Sequence, residues 1–192
     1  MLYPTTSQTV GPYLHIGLSG LNCADLTAGL PHLEATAIVI EGRVTDGQGN
    51  PVPDGMVELW QADARGVYRH PDDPGFASAE SQSASFTGFG RVPTEPDGSF
   101  RFTTIKPGPV AGPDGSQQAP HLVVSLFMRG LLKHLSTRMY FPDETRANEQ
   151  DWILSKVPAA RRETLIAHDT GSGILRWNVV LQGSGETVFF DI

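Results

Sequence analysis

Short apolar runs separated by clusters of Gly, Pro and Asp dominate this chain, and the alternation within them has the two-residue period of strands. Ser99 to Ile105 is the clearest case: the turn pair Asp97-Gly98 opens it and Pro107-Gly108-Pro109 ends it. His121 to Met128 is almost wholly apolar, which predicts a central strand covered on both faces, with Arg129 at its end. In Met56 to Trp60, Val57 and Leu59 face opposite to Glu58 and Trp60. Leu33 to Val44 is rich in β-branched residues and stops at the turn signal Asp46 to Pro51. Thr137 to Phe141 is a short strand halted by Pro142. Thr164 to Ala167, Gly173 to Leu181 and Glu186 to Ile192 read as the last strands.

Helical pattern is scarce. Asp143 to Val157 has mixed character, with a turn around Trp152 to Leu154, and Pro158 to Glu163 reads as a short helix with proline in its first position. Arg69 to Arg91 is a long loop of the kind a compact domain keeps only with a use for it. About eight short strands with turn-rich joins define an all-β fold, a β-sandwich with long loops and one or two short helices.

Residues 1–32 lack periodicity and cannot form a core alone. Tyr13, Leu14, Ile16 and Leu18 have no use in a free tail, so this segment reads as an N-terminal arm laid on a partner subunit, with 33–192 as the sandwich domain.

A length of 192 residues suits one core, and 21 glycines and 15 prolines fit many turns better than a helical bundle. The net charge of −7 disfavours nucleic acid and anionic membrane as partners. A lone cysteine, Cys23, excludes an intrachain disulfide and thiolate-rich metal sites. No apolar run is long enough to span a bilayer, and Met1 to Pro4 lacks the start of an export signal, so cytoplasmic residence is the default expectation.

Common catalytic signatures are missing. Gly88-Phe89-Gly90 does not sit in a strand–turn–helix glycine loop, and Gly171-Ser172-Gly173 is preceded by Thr170 where a hydrolase elbow needs glycine. The six histidines show no metal-ligand spacing. Tyr68 and His121 lie where both could face one pocket. Taken singly, Tyr68 reads as an aromatic wedge between loops and His121 as a hydrogen-bonded core residue. Two donors hold iron poorly, and Val110 and Val123 offer only hydrocarbon.

Several ordered motifs nevertheless point to one family. Ser7 to Pro12, Glu58-Leu59-Trp60-Gln61-Ala62 running to Gly66-Val67-Tyr68, Phe86 to Arg91, Phe102 to Gly108 and Met139-Tyr140-Phe141 closely resemble the intradiol ring-cleavage dioxygenases, from about Ser7 to Leu181. These enzymes open a catecholic ring between its hydroxyl-bearing carbons with O₂ and a non-haem Fe(III) held by two tyrosines and two histidines. The resemblance puts the ligand positions at Tyr68, Val110, His121 and Val123, so two of the four donors are gone. It puts the family's catalytic arginine, three positions before the first histidine, at Gln118, and the family's glutamine before Met/Leu-Tyr-Phe at Arg138.

Such losses resemble the alpha-type chain of the family's two-chain members. There a homologous beta subunit holds the Fe(III), and the alpha chain holds none. The substrates implied are protocatechuate (3,4-dihydroxybenzoate) and O₂. The alpha chain's contribution to the partner's site carries over to Thr9, Gly11, Pro12 and Arg129. Arg129 offers a fork either to the substrate carboxylate or to an adjacent protein carboxylate. The rival readings are a self-sufficient dioxygenase or hydrolase, which lacks the donors, and a β-sandwich binding or carrier protein with no enzyme partner.

Overall fold

The computed structural model describes residues 6–11, 13–30, 35–76 and 86–191. Pro12, the start of the segment expected as the first strand and the middle of the long 69–91 loop lie outside them. The described chain contains eleven strands, four of them only two residues long. They run β1 (Ala37–Thr45), β2 (Met56–Trp60), β3 (Phe89–Pro93), β4 (Ser99–Ile105), β5 (Val110–Ala111), β6 (Gln117–Gln118), β7 (His121–Phe127), β8 (Leu135–Tyr140), β9 (His168–Asp169), β10 (Ile174–Arg176) and β11 (Val179–Val180). Three short helices accompany them: α1 (Tyr13–Leu18), α2 (Thr145–Gln150) and α3 (Ala159–Arg162).

Two sheets form the sandwich. One has the order β3-β2-β7-β8, all antiparallel. In the other, β1 pairs antiparallel with β4 on one side and parallel with β10 and then β11 on the other. Between β10 and β11 the chain leaves the ladder at Trp177. A Cβ on Gly42 would lie 1.8 Å from the Trp177 carbonyl oxygen, so only glycine lets the two backbones approach there. The Asn178 side chain then accepts from Arg43 N–H at 3.0 Å, replacing the missing ladder bond.

The inner faces interdigitate in one apolar core. Ile40, Val44, Phe100, Phe102 and Val179 from one sheet meet Val57, Leu59, Leu122, Val124, Leu126 and Met139 from the other. Phe102 is 1% exposed, and truncating such a residue to Ala costs about 3–5 kcal/mol. A second, smaller cluster of Ala119, Tyr140, Leu154, Val157 and Leu165 covers the outer face of β8.

Some expectations meet corrections. β7 is an inner strand, yet Val123, Ser125 and Phe127 on its second face are only half-buried, so coverage of that face is confined to its start at His121. Glu163–Leu165 is a 3-10 turn, with only an isolated bridge from Ile166 to Tyr140 after it. The segment expected as a last strand over Glu186 to Ile192 makes a single bridge, Ser136 to Phe190. Pro158 caps α3 from outside its first position. No helix among the described residues is long and apolar enough to cross a membrane.

The N-terminal segment joins this frame in two places. Cys23 and Asp25 bridge to Arg91 and Thr103, and Leu26 is buried in the core. Farther out, α1 leaves Tyr13 80% and Ile16 59% exposed, an apolar face without cover among the described residues.

Candidate functional site

Tyr68 stands on a loop built by two carboxylates. Asp63 accepts from the N–H groups of Arg65 and Val67, closing the turn that ends at Gly66. Gly66 has φ +83°, and a Cβ there would lie 1.9 Å from the Pro109 carbonyl oxygen, so this turn packs against the proline loop through bare backbone. Asp73 accepts from Tyr68 N–H at 2.9 Å. The Tyr68 ring then stacks on Trp60 of β2, with centroids 5.9 Å apart.

His121 opens β7 and is 1% exposed. Its Nδ1 lies 2.8 Å from the Ala119 carbonyl oxygen, which can only accept, so Nδ1 carries the proton. The Nε2 lone pair therefore faces the Tyr68 hydroxyl, 3.4 Å away. Burial, and secondarily the positive charge of Arg138, pushes the His121 imidazole down to about 4, so it is neutral at ordinary pH. Burial pushes the Tyr68 phenol up, against the opposing pull of Arg138.

The register of the sheet explains what surrounds this pair. His121 lies opposite Tyr140 of β8, and the next row on the same face reads Trp60, Val123, Arg138 across three strands. Val110 is buried on β5, opposite Gln118 of β6. Gln118 spans the gap: its Oε1 accepts from Arg138 at 2.8 Å, and its Nε2 donates to the Ala111 carbonyl at 2.9 Å. Beneath them Asp151, fully buried, accepts from Ala119 N–H, Tyr140 Oη–H, Ile153 N–H and Leu154 N–H. That carboxylate ties the loop before β7 to the segment after α2. Lys106, paired with Asp143 and Glu144 at 2.6 Å each, ties the end of β4 to the segment before α2.

Of the four positions that the resemblance assigns to ligands, His121 and Val123 share the outer face of one sheet. Tyr68 stacks over it from its loop on Trp60, and Val110 lies on the small β5–β6 ladder. Together they do not fit a resident Fe(III). Val110 and Val123 have no lone pairs to give. The one charged side chain in the row is the Arg138 guanidinium, which repels a cation. Among the described residues, no three His, Cys, Asp or Glu side chains lie together to hold a metal ion. Gln118 and Arg138, where the resemblance expects an arginine and a glutamine, are hydrogen-bonded to each other.

The other predicted residues lie elsewhere. Arg129 sits in the turn after β7, two residues beyond the strand's end at Phe127. His121 and Phe127 are separated by about 20 Å along β7. Arg129 is 73% exposed, and its Nε is paired with the carboxylate of Asp54. Thr9 joins it there, since the Thr9 hydroxyl oxygen accepts from Gly130 N–H at 2.7 Å. Gly11 is exposed, with nothing within 4 Å of a Cβ placed on it, so it makes no close approach among the described residues. Its carbonyl accepts from Leu14 N–H as α1 begins. Sequence reasoning missed Asp54 and Asp151. The pair Asp54-Gly55 is a turn signal directly before β2, but which strand lies beside it is not written locally.

A two-sheet sandwich carrying tyrosine and histidine on one outer face, with a proline loop folded over them, is the frame of a ring-cleaving dioxygenase. Residues 25–183 match the Dioxygenase family, and the chain belongs to the intradiol ring-cleavage dioxygenases. It is 41% identical over 204 residues to the alpha chain of protocatechuate 3,4-dioxygenase from Burkholderia cepacia, spanning 100% of this chain and 98% of that one. The beta chain from the same organism is 39% identical over 132 residues, spanning 68% of this chain and 54% of that one. Among solved structures, the dioxygenase domain of a dioxygenase carbohydrate-binding protein fusion from Streptomyces sp. SirexAA-E superposes with a TM-score of 0.61 at 25% identity, covering 84% of this chain and 88% of that chain.

Proposed function

We propose that this chain is the non-iron-binding alpha subunit of a protocatechuate 3,4-dioxygenase. The assembled enzyme cleaves 3,4-dihydroxybenzoate with O₂ to 3-carboxy-cis,cis-muconate, and both oxygen atoms enter the product. The Fe(III) that this chemistry requires belongs in a homologous beta subunit. One observation carries the reading: a chain similar to an alpha chain over its whole length presents hydrocarbon at Val110 and Val123 and a cation, Arg138, beside Tyr68 and His121.

In this reading residues 1–32 are the arm, tied to this chain's own sandwich from Cys23 onward and packing its outer part on the partner. Thr9, Gly11, Pro12 and Arg129 help wall the partner's site. Three features support it. The exposed apolar face of α1 calls for cover. Thr9 brings the arm to the Arg129 turn. Arg129 projects from the rim, a strand's length from Tyr68 and His121, so any anion it binds lies outside this chain's own remnant site. The guanidinium would hold and orient the substrate carboxylate. Gly11 and Pro12 would bring backbone close to the ring without a bulky side chain.

Co-expression with the homologous beta chain tests this directly. A complex of both chains should form and consume protocatechuate with O₂, whereas this chain alone should not. Turnover by the isolated chain would overturn the reading.

A further inference from the structure

We propose that Asp54 is a positioning residue for Arg129, holding its guanidinium so that the outer edge reads the carboxylate of an aromatic acid; this rests on the function proposed above. The placement comes from strand register. β2 and β7 are antiparallel with Met56 opposite Phe127. Two residues further on, past the end of both strands, Asp54 stands opposite Arg129, and its Oδ2 meets the Arg129 Nε.

The two partners are unequal. The turn bearing Asp54 is fixed on its far side, because Gly55 N–H donates to the Thr94 hydroxyl at 2.9 Å and Thr94 N–H donates to the Gly55 carbonyl at 2.8 Å. Asp54 is 26% exposed against 73% for Arg129. The carboxylate is therefore the anchor and the guanidinium the group being aimed. With the Nε side engaged, the end-on edge formed by the two terminal nitrogens is distinct from the edge facing Asp54, and among the described residues neither nitrogen makes a hydrogen bond. That edge is the fork that binds a carboxylate through two parallel hydrogen bonds. The bond from Gly130 N–H to Thr9 holds the same turn from the arm side. An ion pair this exposed adds little to folding stability, so its value lies in removing freedom from a long side chain before substrate arrives.

The test uses the assembled complex with its beta chain, carrying D54N, D54E, R129A or D54N/R129A, and compares protocatechuate with catechol, which lacks the carboxylate. R129A should raise KM for protocatechuate by roughly tenfold to a hundredfold and leave catechol nearly unchanged. D54N should raise KM for protocatechuate by roughly threefold to tenfold at nearly constant kcat, again sparing catechol, and D54E should recover part of the loss. The double variant should be no worse than R129A alone, because Asp54 acts only through Arg129. Mass measurement confirms that each variant complex is intact. A D54N enzyme with unchanged or lower KM, with equal losses for both substrates, or with a loss that adds to that of R129A would overturn the assignment of Asp54. If R129A itself affects both substrates equally, the substrate role of Arg129 has failed first, and this proposal falls with it.

Discussion

Lowering the pH should destabilise this subunit through His121, and the size of the effect follows from its surroundings. The imidazole is 1% exposed, its Nδ1–H is bound to the Ala119 carbonyl, and its Nε2 faces a hydroxyl. Protonation would add a charge to a dry site that already feels Arg138. The folded value of about 4 lies below the ordinary 6.5, so the unfolded chain takes up the proton first as pH falls. Stability from this residue is fully present above pH 6.5, declines between 6.5 and about 4, and has no further slope below that. Over the whole interval the loss is about 3 kcal/mol. Urea unfolding of the co-expressed complex at about pH 7 and about pH 4.5, with and without His121→Gln, isolates the contribution, since carboxylate titrations are common to both proteins. The wild type should lose more stability than the variant on acidification, by about 2 kcal/mol or more. Parallel pH profiles would show that His121 titrates freely and that its site is wetter than described.

Two further outcomes follow from the same geometry. The Tyr68 hydroxyl has only a long contact to His121, while its ring stacks on Trp60, so Tyr68→Phe should cost no more than about 1 kcal/mol and leave turnover of the complex intact; abolished turnover in an intact complex would restore a catalytic role to this site. Ile16→Glu, on the exposed face of α1, should weaken subunit association by about 1.5–3 kcal/mol without altering the fold, as read by sedimentation of the complex, and unchanged association would remove the arm from the interface.

The architecture was readable where turn chemistry and period agree. Ser99–Ile105 has its expected limits because Asp97-Gly98 and Pro107-Gly108-Pro109 leave the backbone no choice. Met56–Trp60 shows the predicted alternation, since its register buries Val57 and Leu59 together. The misread strands share one cause: β-branched residues favour extended chain, but a strand also needs a backbone edge to pair with. At Thr164 the hydroxyl instead donates to the Arg161 carbonyl and tightens a 3-10 turn. Near the end of the chain, the Thr137 hydroxyl takes the Val188 carbonyl, leaving one bridge where a ladder was expected.

The site was legible in its composition and opaque in its connections. Tyr68 and His121 stood out as donors, and Val110 and Val123 as positions without them. Nothing local announced that Asp54 would meet Arg129 or that Gln118 would brace Arg138, because both contacts depend on which strands lie side by side. The alternatives left open for Arg129 turn out to be compatible: one edge serves a protein carboxylate, and the other edge stays open.

The most direct test of the central claim is the iron content of the purified two-chain complex, measured with this chain as wild type and as the Tyr68→Phe/His121→Gln double variant. About one iron per pair of chains, unchanged by the double substitution, is the result predicted from a donor set reduced to two and flanked by a guanidinium. About two irons per pair, or iron lost when Tyr68 and His121 are replaced, would place a metal in this chain and contradict the account.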